Sequence, residues 1–291
     1  MIELAEGIEE AIEADGPVVA LETTLVAHGF PAGQGVAVGR ASEAAVRSAG
    51  AVPATVGVLD GAVQVGLADA ELERFDARAR KVGPSTIAAA VAAREVGATT
   101  VGGTLVACRA AGIRVLATGG IGGVHRGWDR NPDVSGDLAE LARTPAVVVC
   151  SGVKSLLDVP ATVELLETLG VPVVGWQTDS LPLFYWGDGG PPLTDRVDSP
   201  AQAAAIARAH WALGGAAILL VQPPPSEFDA EPLIEEALAA AESEGVHGAA
   251  VTPFVLARLH ERSQGATLAV NRDLITANAL LAGQVAVALA S

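Results

Sequence analysis

The stretch AVVVCSGVKSLLD (146–158) decides how this 291-residue sequence is interpreted. Its first five residues form an aliphatic run, as in the central strands of a parallel sheet that is covered on both faces. SGVK (151–154) follows at once, and we expect it to open the next helix. In open α/β sheets, ligands bind beyond the carboxyl ends of the strands. The stretch therefore predicts a buried strand that delivers Lys154 to a ligand site.

The same alternation of aliphatic runs and polar ends recurs along the chain. Further predicted strands are 17–24, 52–59, 62–67, 113–117, 171–176 and 216–225. Asp60-Gly61, between the second and third of these, is a strong hairpin signal. Predicted helices are 3–14, 35–49, 69–80, 85–96, 99–111, 137–143, 201–213, 232–243, 252–264 and 270–289. Strands alternating with helices predict a single α/β domain over 1–291, with α/β/α layers around a central, mostly parallel or mixed β-sheet.

Composition narrows the class of function. The hydrophobic share is 50% and the aromatic share 3%, so the core must be aliphatic. A net charge of −16 opposes nucleic-acid binding, which depends on basic patches. The acidic N-terminus does not resemble a signal peptide, and no uncharged apolar run approaches the length of a membrane span. Cys108 and Cys150 lie in apolar runs without metal or redox spacing, so we expect a cytoplasmic protein with reduced cysteines.

The lysines stand out by their scarcity. Of the 18 lysines and arginines, only Lys81 and Lys154 are lysines. Lysine can lose its proton when desolvated and then act as a nucleophile, whereas arginine stays charged. A helix start and apolar neighbours would both disfavour a charge on Lys154, which favours a nucleophilic role. The alternative is a side chain whose ammonium reaches the surface.

Other strand ends carry polar groups that could meet Lys154 in one cleft. Glu22 ends an aliphatic strand and suits a general acid, with a structural salt bridge or helix cap as the alternative. The loop TGGIGGVHRG (118–127) brings Thr118, backbone amides and His125 to the same edge, where they could contact an anion. It lacks the GxGxxG arrangement of a dinucleotide site. The segment 177–179 follows another predicted strand and is expected at the same cleft.

Two groups of residues remain ambiguous from the sequence. In NPDVSGD (131–137), carboxylates could hold a hydrated divalent ion, but Ser135 or Asp137 could equally cap the following helix, and capping is the favoured interpretation. His28 follows Glu22 into the candidate cleft. The other three histidines considered, which have no metal spacing, are interpreted as ordinary helix or loop residues: His210, His247 and His260.

Taken together, the motifs resemble the pseudouridine-5′-phosphate glycosidase family, also called the indigoidine synthase A-like family. The similarity runs in order along nearly the whole chain. The matching segments are ALETTLVAHGFP (20–31), TGGIGGVHRG (118–127), Asp-x-Ser-x-Asp (133–137), VVCSGVKSLLD (148–158), GVPVVGWQTDSLPLFYW (170–186), RVDSP (196–200), VTPFVLARL (251–259) and NRDLITANA (271–279).

The resemblance implies an activity and a set of site residues. Members split pseudouridine 5′-phosphate reversibly into uracil and ribose 5-phosphate, with Mn²⁺ and a lysine adduct. By position, Glu22 matches the proton donor, Lys154 the nucleophile and Asp133 the metal ligand. The predicted substrate-binding residues are Lys81, Val101, Thr118, His125, Ser135, Gly136 and Asp137. The resemblance also implies one divalent ion per subunit and a homo-oligomer, a trimer as in members.

The sequence departs from the family pattern at three places, and two other functions remain open. Lys81 is followed by VGPST instead of a Ser-Arg-Arg-Asp type run, Gly136 replaces an alanine, and Trp176-Gln177 replaces Tyr-Gly. These changes leave the chemistry intact and could reshape the base pocket. The first alternative is a synthase that joins ribose 5-phosphate to a non-uracil aromatic (polyketide) acceptor. The second is a catalytically silent phosphosugar-binding protein.

Overall fold

The computed structural model describes residues 1–129, 132–246 and 251–291; His247 lies outside these ranges. The strands are β1 (Ile2–Leu4), β2 (Val18–Glu22), β3 (Val52–Leu59), β4 (Ala62–Val65), β5 (Arg80–Val82), β6 (Gly97–Thr99), β7 (Val115–Ala117), β8 (Val124–His125), β9 (Val147–Cys150), β10 (Leu157–Asp158), β11 (Val173–Trp176), β12 (Asp195–Val197) and β13 (Ile218–Val221). The helices are α1 (Glu6–Glu13), α2 (Thr24–His28), α3 (Gly35–Ser48), α4 (Asp69–Leu72), α5 (Ile87–Ala92), α6 (Val101–Ala111), α7 (Gly136–Leu141), α8 (Val159–Thr168), α9 (Pro200–Ala212), α10 (Glu231–Ser243), α11 (Val251–Arg262) and α12 (Ala266–Ala290).

Within the described ranges, eleven strands form one mixed sheet in the order β1-β4-β3-β2-β7-β9-β13-β11-β12, with β6 beside β3 and β5 beside β6. The centre, β2-β7-β9-β13-β11, is parallel throughout. The β3–β4 and β3–β6 pairings are antiparallel. Asp60 (φ 53°) and Gly61 (φ 89°) form the tight turn between β3 and β4, as the sequence predicts.

Strand β3 is long enough to have two neighbours along one edge. Its first half pairs with β2, and Gly57 and Val58, beyond the end of β2, pair with β6. Strand β5 then pairs with β6. This arrangement places β5 and β6 next to the carboxyl end of β2, where Glu22 lies.

Alternate residues of the central strands enter different hydrophobic clusters on the two faces of the sheet. In β9, for example, Val147 and Val149 pack with α12, whereas Val148 and Cys150 belong to the larger cluster on the opposite face. Both faces are therefore covered, which confirms the predicted α/β/α layering. Burial raises the pKa of the Cys108 and Cys150 thiols to about 12, consistent with packing residues.

Helix α12 is the one helix among the described residues that is long and apolar enough to cross a membrane. Half of its most apolar window is buried inside the protein. It packs against α3, α9 and the strands β7 and β9. These contacts are those of a core helix.

The structure corrects several predicted elements. The predicted helix 3–14 begins only at Glu6, because Ile2–Leu4 pairs with β4. The predicted helix 69–80 is only four residues long, and the chain then enters β5. The stretch 151–158 is not the start of a helix, since α8 begins at Val159. The short strands β1, β5, β6 and β12 depend on partners distant in sequence, a signal that local periodicity does not carry.

Candidate active site

Three adjacent parallel strands bring the main candidate residues to one edge of the sheet. Glu22 is the last residue of β2, and Thr118 follows β7, which pairs with β2. Strand β9 pairs with β7, and Lys154 lies four residues beyond its end. The predicted convergence of these residues therefore follows from strand order.

Above these strand ends lies a cavity of about 340 Å³. Eight of the ten predicted site residues line it: Glu22, Lys81, Thr118, His125, Ser135, Gly136, Asp137 and Lys154. Val101 and Asp133 are not among the lining residues in the described part of the chain. Val101 is buried as the first residue of α6.

Glu22 is held by hydroxyl groups on both sides. The side chain is 4% exposed. Thr118 donates its hydroxyl to Oε1, and Thr24, the first residue of α2, donates to Oε2. Because the two hydroxyls come from different elements, the plane of the Glu22 carboxyl group is fixed at the cavity wall.

Lys154 lies on an extended loop, so the predicted helix-terminus effect on its amine is wrong. Gly152 has φ 85°, and a side chain there would put Cβ 2.1 Å from the Pro182 carbonyl oxygen. After this turn the chain runs beside the glycine loop, with the Lys154 amide donating to the Ile121 carbonyl at 3.3 Å. Helix α8 starts later because Asp158 caps it, accepting from the Ala161 amide at 3.0 Å.

Lys81 reaches the cavity from β5. Burial lowers the pKa of its ammonium, and the positive charge of Lys154 lowers it further, while Asp137, Glu22 and Asp133 act in the opposite direction. Among the ion pairs between described residues, none includes either lysine. The two lysines of the chain thus share one cavity.

The glycine loop is anchored by Asp137. Its carboxylate accepts from the Gly102 amide at 2.7 Å and from the Gly122 amide at 2.9 Å. A Cβ at Gly122 would lie 2.4 Å from the Ser135 hydroxyl, so only glycine permits this approach. Ser135 caps α7 by accepting from the Asp137 amide at 3.2 Å, as the favoured interpretation of this segment predicts.

The predicted metal ligand, Asp133, has few other metal-ligating side chains near it among the described residues. Asp133 is about one-third exposed, and its carboxylate lies 3.9 Å from His125 Nε2. No group of three or more metal-ligating side chains occurs among the described residues. Burial lowers the pKa of His125, Asp133 raises it, and the positive charges of Lys81 and Lys154 lower it. The described donor set is therefore one carboxylate with a nearby imidazole.

One predicted group does not reach the cavity. Gln177, Thr178 and Asp179 follow β11, which β13 separates from β9 in the sheet. Thr178 donates to the Ser180 carbonyl at 3.0 Å, and Asp179 pairs with Arg196 at 2.9 Å. The expectation that this strand end joins the cleft is wrong. None of the three residues lines the cavity, because β11 lies beyond β13, on the side of β9 that faces away from β7 and β2.

Comparison with known proteins decides the family. The sequence profile described as "Indigoidine synthase A like protein" matches residues 7–288. The chain belongs to this family.

Named relatives cover the whole chain. Pseudouridine-5′-phosphate glycosidase from Myxococcus xanthus is 47% identical, over 99% of this chain and 98% of the relative. The enzyme of that name from Salinispora tropica is 48% identical, over 99% and 92%. These relatives are enzymes, and so is this family member.

Solved structures of similar proteins have the same fold. The prealnumycin C-glycosynthase AlnA, in complex with ribulose 5-phosphate, has a TM-score of 0.90 and 39% identity, covering 100% of this chain and 97% of AlnA. An indigoidine synthase A-like protein from Thermotoga maritima also has a TM-score of 0.90, with 38% identity and the same coverage.

In this indigoidine synthase A-like protein, the cavity wall also includes residues that sequence reasoning did not assign. Phe184, Tyr185 and Asn271 line it, as do aliphatic side chains of α10, α11 and α12. The run Phe184-Tyr185-Trp186 is an available signal, since aromatics are only 3% of the chain. Asn271 gives a second signal, as a buried amide side chain near the start of the mostly apolar helix α12.

Polar atoms without partners concentrate on this wall. Among the described residues, five buried side-chain atoms lack a hydrogen-bond partner: His28 Nε2, Tyr185 Oη, His210 Nε2, His260 Nε2 and Asn271 Oδ1. Three of them belong to cavity-lining residues: His28, Tyr185 and Asn271. Burial lowers the pKa of His28, and Lys81 lowers it further, against an interaction with the Ala79 backbone. Since buried polar groups normally find partners, the wall has the character of a site that a polar ligand completes.

Proposed function

We propose that this enzyme reversibly cleaves the carbon–carbon glycosidic bond of pseudouridine 5′-phosphate, giving uracil and ribose 5-phosphate. The observation that carries the proposal is the presence of Glu22 and Lys154 in one cavity. Glu22 ends β2 and Lys154 follows β9, the two strands that flank β7. The names of the full-length relatives support the same reaction. A buried carboxyl group and an amine are the acid and nucleophile that this chemistry needs.

The proposed reaction begins at the sugar ring. A carbon leaving group has no lone pair to protonate, so the mechanism of ordinary glycosidases does not apply. Glu22 gives a proton to the ring oxygen, the C1′–O bond breaks, and the Lys154 amine forms a bond to C1′. The ring oxygen leaves as the hydroxyl of the opened ribose.

The second stage breaks the carbon–carbon bond. The Lys154 nitrogen donates its electron pair to form an imine with C1′, while the C1′–C5 bond electrons and a proton pass to C5 of uracil. Water then adds to the imine and releases ribose 5-phosphate and the free amine. The net change is pseudouridine 5′-phosphate plus water to uracil plus ribose 5-phosphate, and each step can run in reverse.

We assign the phosphate to the part of the cavity lined by Lys81. Lys81, the Ser135-Gly136-Asp137 segment and the backbone amides of the glycine loop supply the donors. The negative charge of Asp137 is already engaged by the Gly102 and Gly122 amides. A few local donors can thus hold an anion in a protein whose net charge is −16.

We assign Mn²⁺, one ion per subunit, to Asp133. One carboxylate near an imidazole fits a hard divalent ion that keeps most of its waters. Bound there, the ion would supply positive charge that polarises or orients a substrate oxygen. Calorimetric titration with Mn²⁺ should give one site per chain, and Asp133→Asn should weaken it.

The test of the reaction is to incubate the protein with uracil, ribose 5-phosphate and Mn²⁺ and to look for pseudouridine 5′-phosphate by chromatography. Lys154→Ala should abolish product. Borohydride reduction with ribose 5-phosphate alone should trap an adduct on Lys154, located by peptide mapping. Lys81→Arg is the matched control, because it removes the other lysine of the chain and keeps its positive charge. The adduct on Lys154 should still form in this variant. Near-normal turnover by Lys154→Ala would rule out the covalent mechanism.

A second candidate is ribosylation of a non-uracil aromatic acceptor by the same chemistry run in synthesis. Much of the cavity wall is apolar, including Ile234, Leu259 and Ile275. The similarity to the C-glycosynthase AlnA supports this candidate as well. This candidate predicts that the enzyme forms product from ribose 5-phosphate and a polycyclic acceptor, and forms no product from ribose 5-phosphate and uracil.

The assembly is proposed from the family resemblance, and the cytoplasmic location from the two reduced cysteines. We expect a cytoplasmic homotrimer. Light scattering after gel filtration would give its mass.

A further inference from the structure

The turn of residues 183–186 is a strained aromatic segment at the cavity. Phe184 has φ 63°, in the left-handed region that bulky side chains rarely adopt. The turn is closed by the Leu183 amide donating to the Trp186 carbonyl at 2.8 Å. Strain of this kind persists where surrounding contacts fix it, and it clusters at ligand sites.

This turn is fixed to the loop that carries the proposed nucleophile. The Phe184 amide donates to the Ser151 carbonyl at 3.1 Å, and the Ser155 hydroxyl donates to the Leu183 carbonyl at 2.6 Å. The Phe184 ring also packs on Gly120, where a Cβ would lie 2.7 Å from it. Contacts on both sides of Lys154 therefore set the position of the turn.

Tyr185 is the only tyrosine of the chain and lines the same cavity. Its ring meets Phe184 edge-on, with centroids 4.7 Å apart and planes at 89°. The side chain is 2% exposed, and its hydroxyl has no partner among the described residues. Burial raises the pKa of this hydroxyl, so it stays protonated and can donate a hydrogen bond. An unpartnered buried hydroxyl lowers stability, which phenylalanine at this position would avoid.

We propose that Tyr185 is a specificity-determining residue whose hydroxyl donates to a carbonyl oxygen of the planar aglycone, with Phe184 fixing the ring that carries it. The inference rests on the proposed function, since it assigns the aglycone end of that same site. A carbonyl-bearing heterocycle such as uracil supplies an acceptor, which this hydroxyl lacks among the described residues. The hydroxyl then discriminates against aglycones without an acceptor there, because its partner would be missing.

The test is Tyr185→Phe in a Lys154→Ala background, so that binding is measured without turnover. By calorimetry with Mn²⁺ present, the Kd for pseudouridine 5′-phosphate should rise about tenfold, which corresponds to about 1.4 kcal/mol. The Kd for ribose 5-phosphate should not change. The melting temperature of the free protein should rise by about 2–4 °C on loss of the unpartnered hydroxyl.

Thr144→Val is the matched control for the stability readout. It removes a buried hydroxyl that has a partner, Glu140 Oε1 at 3.2 Å, and should lower the melting temperature. Unchanged affinity of Tyr185→Phe for pseudouridine 5′-phosphate, or an equal loss for ribose 5-phosphate, would overturn the inference. Failure of the proposed function shows separately, as the absence of a trapped Lys154 adduct in the wild-type protein.

Discussion

Thr118, just past the end of β7, donates its hydroxyl to the carboxyl group of Glu22 at the end of the neighbouring strand β2. Thr24 donates to the other oxygen from the first turn of α2. The proposed acid is thus oriented by two elements that meet only in the folded protein. This relationship leads to the first of four predictions.

Replacing the orienting hydroxyl should impair catalysis more than folding. We expect Thr118→Val to lower kcat by about ten- to a hundredfold. Glu22 becomes negatively charged as it gives up its proton, and a hydrogen bond to a charged group is worth about 1.5–3 kcal/mol. Thr118→Ser keeps the hydroxyl and should restore most of the rate. Steady-state kinetics across pH tests this, and equal kcat values for the valine and serine variants would contradict it.

Asp137 is expected to act as an anchor for two backbone amides. In Asp137→Asn, the amide NH₂ would face one N–H group, of Gly102 or Gly122, and leave it without an acceptor. We expect a loss of about 1–3 kcal/mol in the free energy of unfolding, measured in urea. The control is Asp69→Asn, whose solvent-exposed pair with Arg40 should contribute little to the free energy of unfolding. Similar losses in both variants would refute the anchoring role.

Gly152→Ala should disturb the loop that places Lys154. The alanine would have φ 85° and a Cβ 2.1 Å from the Pro182 carbonyl oxygen. Gly214 also has φ 85°, but no atom lies within 4 Å of a Cβ built there. Gly214→Ala is therefore the control for backbone strain alone, and it should lower the free energy of unfolding by about 1–2 kcal/mol. We expect Gly152→Ala to lower the free energy of unfolding by more than Gly214→Ala does, and to suppress the trapping of an adduct on Lys154. Normal trapping by a folded Gly152→Ala protein would count against this account of the loop.

Acid should destabilise the protein below neutral pH. Burial lowers the pKa values of His28 and His260 below the ordinary 6.5. As pH falls through 6.5, the unfolded chain takes up protons at these histidines before the folded protein does, so stability falls until the lowered pKa is passed. The slope is at most about 1.4 kcal/mol per pH unit for each histidine.

Urea unfolding at pH 7.5 and 5.5 measures this effect. His28→Gln should reduce the difference in unfolding free energy between the two pH values. A stability that stays constant or rises on acidification would show that the two histidines are not buried in their neutral form.

Much of the fold could be predicted because the central strands carry their own signal. The runs that became β2, β7, β9 and β13 are continuous aliphatic segments, and only a sheet covered on both faces buries such runs. Asp60-Gly61 likewise fixes its turn locally, since both residues adopt positive φ. The scarcity of lysine predicted Lys154 as a site residue, and the family motifs predicted both Glu22 and Lys154.

What the sequence by itself determined was therefore the α/β class, the buried strands and the set of candidate site residues, because these depend on periodicity and residue chemistry. Only the tertiary structure decided how they meet. The short β5, which carries Lys81, exists through pairing with β6. Lys154 lies on a loop because the chain turns at Gly152, where the Pro182 carbonyl oxygen leaves no room for a Cβ. Tyr185 enters the cavity through a strained turn held by Ser151 and Ser155. Each of these depends on contacts between distant segments, whose free energy is gained only when the whole chain has folded.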